Sequence, residues 1–385
     1  MNIAQRVKEL PPYLFKEIDK QKAEAIKAGS DIIDLGVGDP DLPTPNYIIE
    51  ALSKAAADPT NHQYPSYAGM EAFNKEAALW LKKRFDTDIK SSEVITLIGS
   101  KEGIAHTPLA FINPGDIALI PDPGYPVYEN SVRFAGGIPF YMPLKKENGF
   151  LPDFSAIPEN IAGKAKLMFL NYPNNPTSAT AEISFFNDLV LYAKKYNIIV
   201  CHDAAYTEVY YNGKKPTGFL EAEGAKEVGI EYHSLSKTYN MTGWRIGFAA
   251  GGSDIINALG KIKSNVDSGV FQAIQIAGIE ALKGGEKYIE ELNRIYEKRK
   301  RIILDALNSA GIKAYDPKAT FYIWFEVPKG YSSAEFVSLL LSKANIVTIP
   351  GSGFGKAGEG YARISLTVSE ERIKEAALRI KNAKF

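Results

Sequence analysis

The 385-residue chain lacks most of the features that mark secreted, membrane-bound or nucleic-acid-binding proteins. It has a single cysteine, Cys201, so no disulfide can form within the chain. Lys plus Arg and Asp plus Glu both number 45, so no net charge draws the protein to nucleic acid or to an anionic membrane. The first residues lack the apolar segment of a signal peptide, and no stretch approaches the roughly 20 apolar residues that cross a bilayer. These absences predict a cytoplasmic protein with small-molecule partners, and neither nucleic acid nor a membrane among them.

Metal and nucleotide motifs are also missing or unconvincing. None of the four histidines has the spacing of a metal site, so we expect no metal. Gly353–Gly358 matches the dinucleotide-binding fingerprint, but a predicted strand follows it where the fingerprint requires a helix. Ser234–Lys237 matches the Ser-x-x-Lys motif of penicillin-binding enzymes, but the other motifs of that family do not accompany it. Both interpretations are therefore rejected.

The first 270 residues alternate short apolar runs with longer helical patterns. Near-continuous apolar strands separated by helices are typical of a mostly parallel sheet that is covered on both faces. We predict a seven-stranded sheet of this kind in a large α/β domain over residues 46–284. The seven predicted strands are Val94–Ile98, Ile117–Pro121, Ile138–Met142, Lys166–Leu170, Ile198–His202, Ile230–Leu235 and Arg245–Ala249.

The pattern changes after about residue 285. A long helix with one apolar stripe, which includes Leu292, Ile302 and Leu307, is followed by short strands and two further helices. Ser332–Glu335 is a capping-box pattern that predicts the start of one of these helices. We predict a smaller α+β domain over residues 285–385, with residues 1–45 forming a Pro-rich arm and part of that domain.

Five of the predicted strands end in polar, aromatic or ionisable groups. Ligands of open α/β sheets bind outside the carboxyl ends of the strands, so these endings should form one site. The endings are Gly99–Gly103, Asp122–Tyr125, Asn171–Thr177, Asp203–Tyr206 and Ser236–Lys237.

Each ending suits a part of one cofactor, pyridoxal 5′-phosphate (PLP). The Gly99–Gly103 turn offers backbone N–H groups and a helix N-terminus to a phosphate. Asp203 can keep a pyridine nitrogen protonated, which makes the ring an electron sink. Tyr125 can stack on a flat ring. Lys237 can form an imine with a carbonyl if its pKa is lowered by burial or by a nearby cation.

Three further residues extend this interpretation. Asn175 and Tyr206 can hydrogen-bond a phenolic oxygen. Thr242–Ala249 follows the preceding strand too closely for a helical crossover, so it should return antiparallel. That return would bring Arg245 to the edge of the sheet that carries Lys237, where its guanidinium can bind a phosphate.

The same segments resemble those of class I/II aminotransferases, which use PLP and have the fold called type I. Ser234–Lys237 and Gly243–Gly247 resemble the Schiff-base segment of that family. Tyr172–Thr177 resembles its cofactor-oxygen motif, and His202–Tyr206 is similar to its pyridine-nitrogen segment. Ala362–Ser365 resembles the strand whose arginine binds the α-carboxylate of the substrate. The matches span nearly the whole chain in the expected order.

The resemblance implies a role for each residue and a homodimer with shared sites. Lys237 would hold PLP as a Schiff base and move the substrate proton, while Arg363 would bind the α-carboxylate beside Gly38 and Asn175. Tyr64 would reach the phosphate in the partner subunit. The other phosphate contacts would be Ser100, Lys101 through its backbone, Ser234 and Arg245.

The implied reaction is ping-pong transfer of an amino group between an amino acid and 2-oxoglutarate. Within the family, three segments resemble most closely the LL-diaminopimelate aminotransferases of lysine biosynthesis: Gly99–His106, Gly124–Asn130 and Thr238–Gly247. Plant-type members carry a glutamate where this chain places Tyr67. Aspartate, alanine or aromatic donors, and β-elimination by a C–S lyase, therefore stay as alternatives. A PLP-binding regulator is disfavoured, because the segment before Ile32 is too short for a DNA-binding domain.

Overall fold

The computed structural model describes residues 2–8, 10 and 16–383. The strands are β1 (Ile33–Asp34), β2 (Val94–Leu97), β3 (Ile117–Asp122), β4 (Ile138–Pro143), β5 (Ala165–Asn171), β6 (Ile199–Asp203), β7 (Gly229–Ser234), β8 (Gly247–Gly251), β9 (Tyr322–Glu326), β10 (Ile346–Val347), β11 (Ile349–Pro350) and β12 (Tyr361–Ser365). The α-helices are α1 (Gln5–Lys8), α2 (Lys16–Lys27), α3 (Asn46–Ala56), α4 (Glu71–Phe85), α5 (Ser100–Phe111), α6 (Val127–Phe134), α7 (Glu159–Ala162), α8 (Ile183–Tyr196), α9 (Ala225–Val228), α10 (Leu235–Thr238), α11 (Ser253–Val266), α12 (Gln272–Gly284), α13 (Glu286–Ser309), α14 (Ser333–Ala344) and α15 (Glu370–Asn382).

The central sheet has seven strands in the order β2-β8-β7-β6-β5-β3-β4. Strand β8 runs antiparallel to both of its neighbours, and the other pairs are parallel. The prediction of a mostly parallel seven-stranded sheet is confirmed. Because β2, β3, β5, β6 and β7 point the same way, their carboxyl ends meet at one edge of the sheet.

Both faces of this sheet are buried, which explains the near-continuous apolar runs of its strands. In β5, Leu167 and Phe169 belong to one core cluster, while Met168 and Leu170 belong to the cluster on the other face. Each of these four side chains is fully buried. The period-2 alternation of a strand therefore supplies apolar side chains to two helical layers at once.

The antiparallel return after β7 is confirmed, but the last predicted strand begins too early. Ser234 pairs with Gly247, and Ile230 with Gly251, so the strand covers Gly247–Gly251 rather than Arg245–Ala249. Arg245 has a left-handed φ of 55°, which lies outside the β region. It follows a single turn of 3₁₀-helix, and the two together reverse the chain.

The C-terminal part of the chain forms a second, smaller layer around its own core. Strands β11, β12 and β9 form an antiparallel sheet, and β1 pairs in parallel with β10. Helix α13 buries Leu292, Ile303 and Leu307 in this core, whereas the predicted Ile302 is only partly buried. The predicted capping box is confirmed, since Ser332 N–H donates to the Glu335 carboxylate at 2.8 Å.

The N-terminal helix α2 joins this smaller layer. Ile18 is buried in the same core cluster as Leu35 and Val347. The Pro-rich stretch predicted to form an arm lies outside the described residues. Among the helices that are described, none combines the length and the apolarity needed to cross a membrane.

Candidate active site

A cavity of about 450 Å³ lies where the carboxyl ends of the central strands meet the smaller layer. Its walls contain all but one of the residues that the sequence predicts for the site. These residues are Gly38, Ser100, Lys101, Tyr125, Asn175, Asp203, Tyr206, Ser234, Lys237, Arg245 and Arg363.

Lys237 lies in α10, directly after β7, and extends into this cavity. Its ammonium nitrogen donates to the carbonyl oxygen of Gly38 at 2.9 Å. Burial lowers the pKa of the amine to about 8, and the nearby Arg245 and Arg363 act in the same direction. The Asp39 carboxylate opposes them. An appreciable fraction of the amine is therefore unprotonated near neutral pH, as a nucleophile or a base requires.

Asp203 ends β6 at the floor of the cavity and is only 6% exposed. Burial raises the pKa of this carboxyl, and a hydrogen bond from Tyr128 lowers it. The Tyr128 hydroxyl donates to Asp203 Oδ2 at 2.8 Å, and the N–H of Ala205 donates to Oδ1 at 3.3 Å. A carboxylate so deeply buried gains most from a cationic partner, such as a protonated ring nitrogen.

The turn before α5 lies next to another part of the cavity wall, formed by Ser100 and Lys101. Gly99 has a φ of 74°, and a Cβ at this position would lie 2.4 Å from Nη2 of Arg245. A Cβ on Gly247 would lie 3.0 Å from the backbone nitrogen of Ser100. The two glycines thus let the Arg245 guanidinium and strand β8 approach the turn closely, and a guanidinium beside a helix N-terminus is a combination that suits a phosphate.

Arg363, on β12, forms the wall of the cavity nearest the smaller layer and is 6% exposed. Its guanidinium donates at 2.7 Å to Asn175 Oδ1 and at 2.7 Å to the carbonyl of Gly36. Its carbon Cζ lies 4.1 Å from the ring centre of Tyr322. No carboxylate of the described residues forms an ion pair with it, and its Nε has no hydrogen-bond partner. A buried cation that has only neutral acceptors calls for an anion from outside the chain.

Asn175 is held in place by the loop that follows β5. The Asn171 side chain accepts from Asn175 N–H at 2.7 Å and donates to the backbone oxygen of Asp203 at 2.7 Å. Asn174 accepts from both the N–H and the hydroxyl of Thr177. The Asn171 side chain therefore links the backbone N–H of Asn175 to the end of the neighbouring strand β6.

Comparison of the sequence with known protein families identifies the family to which this site belongs. Residues 30–380 match the model of the family described as aminotransferase class I and II. The chain belongs to this family. An LL-diaminopimelate aminotransferase from Syntrophobacter fumaroxidans is 57% identical over 383 residues, covering 99% of both chains. Another from Aquifex aeolicus is 57% identical over 381 residues, covering 99% of this chain and 98% of the relative.

Solved structures agree with this assignment. Substrate-bound BacF from Bacillus subtilis aligns with a TM-score of 0.95 at 39% identity, covering 100% of this chain and 98% of its own. A probable N-succinyldiaminopimelate aminotransferase from Thermus thermophilus aligns with a TM-score of 0.90 at 35% identity, covering 96% and 99%. The predicted fold, enzyme class and cofactor are thereby confirmed: the chain is a PLP-dependent aminotransferase of fold type I.

The cavity of this aminotransferase fits PLP. Arg245 lies against the turn at the N-terminus of α5, where the two together could hold a phosphate, and the buried Asp203 offers an acceptor to a ring nitrogen. Lys237 lines the same cavity and could supply the amine for a carbonyl carbon.

Two aromatic residues of the site were missed by the sequence reasoning. Tyr128 is three residues after Tyr125, a helical spacing that could have identified it, and their rings lie 5.8 Å apart. Tyr322 belongs to the aromatic run Phe321–Phe325, and such a run by itself predicts a core strand. The strand is present, but the Tyr322 hydroxyl lies 3.2 Å from that of Tyr206, and a Cβ on Gly38 would lie 2.0 Å from it. Tyr322 therefore requires glycine at position 38.

Tyr64 is the one predicted site residue that does not line the cavity of its own chain. Its side chain is 87% exposed. Its predicted contact with a partner subunit stays a prediction.

A buried ionic cluster supports the turn at the phosphate end. Glu102 accepts from Ile98 N–H at 2.7 Å and from the Lys263 ammonium at 2.9 Å. Lys263 also donates to Asp267 at 2.8 Å. Glu102, His106 and Asp267 are close enough together to hold a metal ion. The fully buried ammonium of Lys263 already supplies a positive charge there, so we interpret the cluster as an anchor for the turn.

Proposed function

We propose that this aminotransferase transfers the amino group of LL-diaminopimelate to 2-oxoglutarate in the lysine pathway. Relatives named LL-diaminopimelate aminotransferase, 53–57% identical over nearly the full chain, support this choice of donor. The observation that carries the reaction is the pair formed by Lys237, an amine of lowered pKa, and Arg363, a buried cation without an anionic partner among the described residues.

The roles of the chain's own groups follow from their places in the cavity. PLP, when bound, supplies a ring that withdraws electrons from the α-carbon of the donor. Arg363 binds the α-carboxylate of each substrate in turn. Lys237 Nζ would take the proton from the α-carbon and deliver it to carbon C4′ of the cofactor. Asp203 would hold a proton on the ring nitrogen, and Tyr128 fixes the orientation of that carboxylate.

The other predicted contacts complete the cofactor site. Tyr125 would stack on the ring, and Asn175 and Tyr206 would donate hydrogen bonds to its phenolic oxygen. Ser100, Lys101 through its backbone, Ser234 and Arg245 would bind the phosphate.

We further propose a cytoplasmic homodimer of two-domain subunits. The exposed Tyr64 supports shared sites, because its ring has no cavity to fill in its own chain. The separate core cluster of the C-terminal layer supports a small domain at 285–385, with 1–45 partly joined to it and 46–284 as the large domain. The formal net charge of the chain is zero, so charge gives the protein no attraction to nucleic acid.

The test is a donor panel with 2-oxoglutarate as the acceptor. We expect LL-diaminopimelate to be converted with a higher kcat/KM than aspartate, alanine or phenylalanine. Borohydride should attach PLP to wild-type protein but not to Lys237→Ala, which should not turn over. Lys164→Ala, which removes an exposed lysine that does not line the cavity, is the matched control. A preferred donor other than LL-diaminopimelate would overturn the substrate, and full activity of Lys237→Ala would overturn the role of the lysine.

A further inference from the structure

Three carboxylates line the cavity, and two of them are already engaged. Asp203 lies at the ring end with Tyr128. Asp34 accepts from the Lys22 ammonium at 2.5 Å and from Gly36 N–H at 2.8 Å. Asp19, on α2, has no ion pair or hydrogen bond with any residue in the described part of the chain. As far as the described residues show, one wall of the cavity therefore presents a negative charge without a partner.

The position of Asp19 is fixed by its neighbours on α2. Ile18 is buried in the core of the smaller layer, and Lys22 is bound to Asp34 on β1. Lys22 lies three residues after Asp19, a spacing that would allow a pair within the helix, but its ammonium is held by Asp34 instead. Asp19 is thus anchored on the cavity wall with its side chain exposed.

A bound donor would extend from the buried Arg363 and Lys237 toward the exposed part of the cavity. Its α-carboxylate lies on the buried Arg363, and its α-carbon faces Lys237 Nζ. The rest of the side chain must then extend toward the exposed part of the wall, where Asp19 lies. A cationic group at the far end of the donor would meet a carboxylate there, and an uncharged end would leave that carboxylate unpaired.

We propose that Asp19 is the specificity residue that binds the distal ammonium of a diamino acid donor. This inference rests on the proposed function and names the group that selects the second amino group of LL-diaminopimelate. Asp19 does not touch the reacting atoms, so its effect should fall on the choice between donors.

The experiment compares two donors that differ in one group. L-2-aminopimelate has both carboxylates of LL-diaminopimelate but lacks the distal amine. We measure kcat/KM for both with 2-oxoglutarate, in wild-type holoenzyme, Asp19→Asn and Glu24→Gln. Glu24 is an exposed carboxylate on the same helix that does not line the cavity, so its variant controls for the loss of one negative charge.

Asp19→Asn should lower the preference for LL-diaminopimelate about fivefold to tenfold, mainly through KM, as expected for a partly exposed charge pair. Glu24→Gln should keep the wild-type preference.

Each outcome decides the matter. A preference that Asp19→Asn retains in full overturns the role of Asp19 and leaves the proposed substrate standing. An equal fall in both variants shows an effect of overall charge and also overturns it. A wild-type enzyme that converts other amino acids but not LL-diaminopimelate overturns the proposed substrate and this inference together.

Discussion

The hydrogen bond from Tyr128 to Asp203 offers the sharpest test of how the ring end of the site works. Tyr128→Phe removes one oxygen atom and keeps the ring, which stacks on Phe169 at 5.3 Å. Of the two donors to the Asp203 carboxylate, the Tyr128 hydroxyl at 2.8 Å is closer than the Ala205 N–H at 3.3 Å. Its loss leaves the longer contact as the only hydrogen bond that the described residues donate to this carboxylate.

The size of the effect follows from the charge of the acceptor. A hydrogen bond to a charged group contributes about 1.5–3 kcal/mol, which corresponds to about one to two pKa units. The pKa of Asp203 should rise by that amount, so the shared proton moves from the ring nitrogen toward the carboxylate. The ring then withdraws electrons less strongly, and proton removal from the donor should slow about tenfold to a hundredfold.

The assay pairs single-turnover absorbance with the ¹⁵N chemical shift of the ring nitrogen in labelled PLP. Tyr125→Phe is the matched control. This substitution also removes a phenolic hydroxyl from the cavity, but the Tyr125 hydroxyl forms no hydrogen bond with Asp203. We expect the nitrogen shift to move in Tyr128→Phe and to stay constant in Tyr125→Phe. An unchanged shift and rate in Tyr128→Phe, or equal changes in both variants, would refute the reasoning.

Three further predictions concern the amine, the carboxylate site and the glycine beside it. In cofactor-free protein, the rate at which PLP reacts with Lys237 should rise with pH up to about 8 and then level off. Burial lowers the pKa of this amine to about 8, and only the neutral form attacks a carbonyl; stopped-flow absorbance measures the rate. Arg363→Lys should raise the donor KM about tenfold to a hundredfold in steady-state kinetics, because an ammonium cannot reproduce the two directed hydrogen bonds to Asn175 and Gly36. Gly38→Ala should reduce activity and the melting temperature, because the added Cβ would lie 2.0 Å from the Tyr322 hydroxyl.

Each of these expectations has a clear contrary result. A midpoint near 10.5, the ordinary value for lysine, would show that burial does not tune the amine. A KM in Arg363→Lys equal to that of the wild type would place the α-carboxylate elsewhere. Wild-type activity and melting temperature in Gly38→Ala would show that the ring of Tyr322 moves aside without cost.

The sheet and the polar strand ends were predictable because they leave a signal within a few residues. A strand buried on both faces, such as β5, is apolar along its length, and the residue after it marks the edge where ligands bind. The bounds at Arg245 were not predictable, because its left-handed backbone follows from the tight return rather than from its residue type.

The missed residues depend on contacts that are distant in sequence. At the start of β9, Phe321, Tyr322 and Ile323 are all buried, so apolarity does not tell which ring borders the cavity. Tyr322 is identified only by its contacts with Tyr206 and Gly38. Asp19 carries no local signal either, since its place on the wall depends on the docking of Ile18.

The part of the cavity around Lys237 and the part around Arg363 are assembled from segments with very different separations along the chain. Lys237 and Arg245 lie on one short antiparallel return, whereas Arg363 donates to the carbonyl of Gly36 across 327 residues. Contacts of high sequence separation require the closure of long loops, which costs chain entropy. The substrate end therefore depends on both the early and the late segments of the folded chain, whereas the backbone pairing of the lysine return is local, although Lys237 Nζ itself donates to Gly38. Substitutions on helix α2, which carries Asp19, can therefore change the choice of donor without altering the backbone pairing of the return that carries the amine.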